Sequence, residues 1–112
     1  MSKISFEDIG AVVATFAAEE GVGGGQVVKV TGSGTVGPCG DGDAFCGMAF
    51  QPRKGMAAVQ VKGFLTVGTT GTLTLGWGNL AADGKGGVKK VTSGGVAALV
   101  VSASDTGAVI CL

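Results

Sequence analysis

The chain has 112 residues, the length of one domain, and folding at this size buries enough surface for a single core without staples. Hydrophobic residues make up 46% of it and charged residues 14%, well under the ~25% usual for soluble proteins, and eight basic side chains balance eight acidic ones. A neutral, charge-poor surface has little attraction for nucleic acid or an anionic membrane, and no apolar run approaches the ~18 residues of a membrane span.

There is no His, so the commonest general base and metal ligand at neutral pH is missing. Cys39, Cys46 and Cys111 are odd in number and form no Cys-x-x-Cys pair, and the first four residues carry no secretory signal. They read as free thiols in a reducing compartment. The 23 glycines have no three-residue period and cluster between apolar runs, where turns need positive φ.

Residues 1–11 read as an irregular N-terminal arm and residues 12–112 as a single β domain. Phe6, Ile9, Val13 and Phe16 have helical spacing, and Ser5 with Asp8 imitates a capping box. Gly10, the Val12-Val13 pair and Thr15-Phe16 argue the other way, and a strand is expected over 12–16. Residues 19–25 are a glycine-rich loop and 26–31 a strand with Val28 and Val30 on one face. After a turn at 31–34, residues 35–38 form a short strand, read as an edge because Pro38 cannot donate to a ladder. A tight loop at 39–43 leads into an apolar strand over 45–51 that suits burial on both faces.

The most regular stretch is 57–67, which is expected to be the central strand. Val59, Val61, Leu65 and Val67 fall on one face, with Ala57 and Gly63, while Gln60, Lys62 and Thr66 fall on the other. Phe64 is the exception, a large apolar group on the polar face that packs under another element or awaits a partner. Residues 72–77 alternate Leu73, Leu75 and Trp77 with Thr72, Thr74 and Gly76, and the stretch 79–87 contains a glycine-rich hairpin loop over 82–87. Over 88–92 the pair Lys89-Lys90 breaks the alternation, as a bulge or a lysine-guarded edge would. Residues 96–102 and 108–112 are apolar on both faces. The pattern is all-β: a small β-barrel or β-sandwich of about eight short, mostly antiparallel strands.

The sequence matches several chemical motifs only in part. Residues 32–37 fit the dinucleotide fingerprint but run into Pro38-Cys39-Gly40, which starts no helix, and residues 76–81 fail the same way. Asp41 and Asp43 flank Gly42 without the further oxygens that calcium needs, and Cys39, Cys46 and Asp41 fall short of a four-ligand zinc site. Acids stabilising a turn and cysteines acting as small buried hydrophobes account for both. No Ser or Cys has a base at a suggestive spacing, and Lys62 lies outside any biotin- or lipoate-type hairpin. Lys89-Lys90 is too small a patch for nucleic acid. The expectation is therefore a non-enzymatic protein with no cofactor and no metal. Trp77 reads as core or as an interface anchor, a role in which Trp is enriched.

Three segments together, 32–47 (GSGTVGPCGDGDAFCG), 58–67 (AVQVKGFLTV) and 75–88 (LGWGNLAADGKGGV), resemble small prophage-encoded virion proteins of tailed phages, of the capsid-decoration or head-fibre-base type. The resemblance implies a β-barrel or β-sandwich, assembled in the bacterial cytoplasm, that binds the major capsid protein on the outside of the capsid lattice and stabilises it, often as a trimer. No catalytic motif defines that group, so no functional residues carry over. Interface candidates are Ile4 and Phe6 on the arm, suited to strand addition, with Phe64 and Trp77 on the body. Another phage head or tail subunit, or a small ligand- or carbohydrate-binding β-module, are the alternatives.

Overall fold

The computed structural model describes residues 10–112. Interface candidates Ile4 and Phe6, and most of the expected arm, lie outside the described residues. Ten strands and no helix occur among those described. They are β1 (Val12–Ala18), β2 (Val27–Gly32), β3 (Thr35–Pro38), β4 (Gly47–Ala49), β5 (Met56–Lys62), β6 (Phe64–Gly68), β7 (Gly76–Ala82), β8 (Val88–Val91), β9 (Val96–Ala103) and β10 (Gly107–Cys111). The first five close into a barrel in the order β1-β3-β2-β4-β5, and the rest form a sheet in the order β6-β10-β9-β7-β8. The fold is thus all-β and mostly antiparallel, with a barrel and a sheet together. The named strand pairs are antiparallel except β1 with β3, where Ala17 pairs Thr35 and Ala18 pairs Val36.

Alternation along the strands supplies two cores. Val28, Val36, Ala49 and Val59 fill the barrel, with Phe16, Val22, Cys46 and Val61 packed around them. The neighbouring residues Val27, Phe45 and Met48 turn out of the barrel and join Leu65, Val67, Leu80, Val88, Ala98, Val100 and Ile110 under the sheet. Both sides of β4, and of the first two residues of β2, are therefore apolar because each side faces a core, whereas β2 beyond Val28 is polar or exposed. No polar side chain is buried among the described residues.

The stretch 57–67 is two strands rather than one. Its alternation is continuous, but Gly63 breaks the pleat at φ 96° and hands the chain from barrel to sheet. Val59 then serves the barrel core while Leu65 and Val67 serve the sheet core. A Cβ on Gly63 would sit 3.0 Å from Ala11 Cα and from the Gly10 carbonyl oxygen, so only glycine fits this crossing.

Four further readings change. The strand β1 runs to Ala18, beyond the expected end at 16, and pairs with β5 along its length. The strand β3 is no edge: it lies between β1 and β2, and its pairing with β1 stops at Val36, short of Pro38. The strand expected over 45–51 shrinks to Gly47–Ala49. The strand expected over 72–77 begins only at Gly76 and continues through residue 82, taking in 79–81, to which the sequence pattern assigns no element, and the first residue of the expected loop. Asn79, Ala81 and Ala82 are weak strand formers, and pairing with β8 and β9 on either side overrides that. By contrast β8 is an edge of the sheet, as Lys89-Lys90 suggested.

Candidate protein-docking face

One face of the second sheet covers the core, and among the described residues no element packs over the other. Register decides what it displays. Phe64 pairs with Cys111, Cys111 with Leu99, and Leu99 with Trp77, so four apolar side chains form one row across β6, β10, β9 and β7. Directly paired residues share a face, and the flanking Leu65, Ile110, Val100 and Ala98 point to the core. Phe64, Cys111 and Leu99 are half-buried by their neighbours, whereas Trp77 is 75% exposed. Phe64, the exception in the 57–67 pattern, thus shares the outer face with Trp77, and the two candidates on the body of the chain are brought together. Trp77 is not core.

A second row, Thr66, Val109 and Ser102, lies beside the first. Here the register of β9 against β10 slips by one residue, since Val109 pairs Ser102 but Ile110 pairs Val100. The slip and the β9–β10 turn frame an open recess of about 250 Å³ lined by Thr66, Ser102, Ser104, Gly107 and Val109. A smaller one of about 60 Å³ lies beside Trp77, with Thr74, Asn79 and Lys90. Both fall below the roughly 300–1,000 Å³ of small-molecule pockets. The strand pattern puts a single charged side chain on this face, Lys89, and its Nζ lies 2.6 Å from Asp41 Oδ1. Leu75, 64% exposed, adds apolar surface next to Trp77.

A second exposed apolar area lies on the β1–β5 wall of the barrel, where Val13 and Met56 are nearly half exposed. Phe50, whose N–H donates to the Ala58 carbonyl, stands beside them.

The polar groups of the 39–43 loop are occupied in structure. Lys29 Nζ donates to Asp43 Oδ2 at 2.6 Å and the Gly40 N–H donates to the same oxygen at 2.8 Å. Those bonds hold the Asp43 carboxyl below its ordinary range. Asp41 and Asp43 therefore engage separate lysines across Gly42. Burial pushes the Cys39 thiol up to about 11, with the Asp43 charge adding to it, and burial also raises Cys46. Protonated thiols are poor nucleophiles and poor metal ligands. The fingerprint-like residues 32–37 span the β2–β3 turn and β3, not a strand-to-helix turn.

Leu99 and Val109 are not singled out from the sequence, and Cys111 is read there as a small buried hydrophobe rather than as part of a docking face. Their signal was that 96–102 and 108–112 are apolar on both faces although only one face of this sheet is covered. The chain matches no protein-family model and no curated protein sequence.

Proposed function

We propose that this protein is a non-enzymatic structural subunit of a phage virion, a decoration protein that binds the outer surface of the capsid and stabilises its lattice. The observation that carries the reading is Trp77, an indole 75% exposed at the end of a registered apolar row on a face whose one strand-borne charge, Lys89, is paired with Asp41. Such an arrangement has no catalytic use, and it matches what protein docking needs. Covering that indole removes about 100–200 Å² of apolar surface from water, on the order of 2.5–5 kcal/mol before association costs. The capsid as partner comes from the resemblance of residues 32–47, 58–67 and 75–88 to capsid-decoration proteins. Cementing needs contacts in more than one direction, and the β1–β5 wall supplies a second apolar surface. Many weak copies on one lattice then add through avidity.

The test is to mix the purified protein with undecorated, expanded capsids and pellet them. Co-sedimentation that saturates at a fixed ratio to capsid protein is expected, and its absence removes the capsid role. Electron microscopy of labelled particles separates capsid decoration from another head or tail position.

A further inference from the structure

We infer that the outer face of the second sheet joins two copies of this chain, each lodging Trp77 in the other's recess at Thr66, Ser102, Ser104 and Val109. The inference rests on the reading of this face as a docking surface and is independent of the capsid role.

Knob and recess complement each other. Trp77 projects from β7, at one end of the apolar row. The recess of about 250 Å³ lies on β6, β10 and β9, two strands away on the same face. The Thr66 and Ser102 hydroxyls at its wall make no hydrogen bond within the described residues, and either can accept the indole N–H. A two-fold axis lying in the contact plane and bisecting the line from knob to recess seats both indoles at once. Because knob and recess share one face, the reciprocal pair closes on itself. A ring of three needs them on different faces, so this contact replaces the three-fold expectation.

Charge and area agree. The face opposes no like charges on self-contact, because Lys89 is already paired with Asp41 and Lys90, beside Trp77, is turned by the two-fold toward the partner's recess rather than the partner's Lys90. Five strands spaced ~4.8 Å apart, each about 20 Å long, give roughly 500 Å² per copy and about 1,000 Å² for the pair, the area a specific interface should clear.

Trp77 is the chain's single tryptophan, so its fluorescence reports the contact. Sedimentation velocity with parallel emission spectra over a wide concentration range is expected to show a species of twice the 10.8 kDa chain mass, with emission shifting to the blue as it forms. Trp77→Ser removes the knob and Ser102→Arg fills the recess. Both sites are exposed, so circular dichroism should be unchanged, and each variant should weaken association by roughly thirtyfold or more. A monomer at every concentration, a trimer, or a dimer that both variants leave intact overturns the inference. Pelleting on capsids reads the other question separately: a dimer that fails to pellet removes the capsid role alone, and a monomer that pellets removes this contact alone.

Discussion

Gly47 is the position where the barrel is least able to accept an added methyl. It sits in the three-residue strand β4, between β2 and β5, and pairs with Val28. A Cβ there would lie 2.2 Å from the Gln60 carbonyl oxygen and 3.1 Å from Val59 Cγ1. A comfortable contact needs about 3.5 Å, so the backbone of β5 must retreat by roughly 1 Å. That backbone is held by the Met48–Gln60 and Ala49–Val59 pairs, and Val59 fills the barrel core. Overpacking against fixed backbone costs about 2–3 kcal/mol or more, which in a domain of this length lowers Tm by roughly 8–12 °C. Gly78, in β7, is the internal control. A Cβ there meets nothing within 4 Å and its φ is not positive, so Gly78→Ala should be neutral or stabilise by about 0.4–1 kcal/mol. Urea unfolding followed by far-UV circular dichroism measures both. A Gly47→Ala protein within about 0.5 kcal/mol of the parent, or a Gly78→Ala protein as damaged as Gly47→Ala, refutes the packing argument.

Ile110, fully buried under the sheet, should cost about 3 kcal/mol on truncation to Ala, read from the same urea curves without change in slope. Asp83 closes the β7–β8 turn: its Oδ1 accepts from Lys85 N at 2.7 Å and Gly87 N at 3.0 Å, and its Oδ2 from the Thr70 hydroxyl at 2.9 Å. Asp83→Ala should cost about 1–2 kcal/mol, and a cost near zero would mean water replaces all three bonds. With Cys46 and Cys111 changed to Ser, Cys39 should react with a thiol reagent at a rate that climbs tenfold per pH unit toward its pKa of about 11, and a plateau by pH 9 refutes the burial argument. Asp43 titrates below its ordinary 3.8, so its stabilisation is present above that pH and is lost as pH falls through the lowered value. Asp43→Asn should therefore flatten the acid limb of stability against pH, and an unchanged limb contradicts the Lys29 pairing.

The fold class was legible because period-two alternation is a local property. The stretch 57–67 shows it through residue 67, and Val28, Val59, Leu65 and Val67 are all buried as the pattern demands. What alternation does not carry is which core each residue serves. Gly63 divides one regular pattern between barrel and sheet, and glycine in a strand is ambiguous until its φ is known. The β7 hairpin slipped for a related reason. The Leu73, Leu75, Trp77 alternation is as regular as a strand, yet Leu73 packs into the core from a loop and residues 79–82 win the ladder through partners far along the chain. Pro38 misled in the opposite sense: the ladder with β1 ends two residues earlier and asks nothing of its missing N–H, while the ladder with β2 runs on to the Val28–Pro38 pair.

The docking face was half legible, and the reason bears on function. Phe64 and Trp77 stood out as large apolar groups in polar or exposed settings, but their place in one row, three strands apart, depends on three strand registers that no local pattern contains. The stronger signal lay in 96–102 and 108–112. A strand apolar on both faces ordinarily means a sheet covered on both sides. Here only one side is covered by the described residues, and the inward set Ala98, Val100, Ala108 and Ile110 already meets the needs of the core. Leu99, Val109 and Cys111 contribute nothing comparable to that core, and an exposed apolar sheet face is an aggregation liability. Their presence on a sheet whose edge strand β8 carries Lys89 and Lys90 separates two risks: lysine guards that edge against open-ended strand addition, while the apolar face suits a contact that closes.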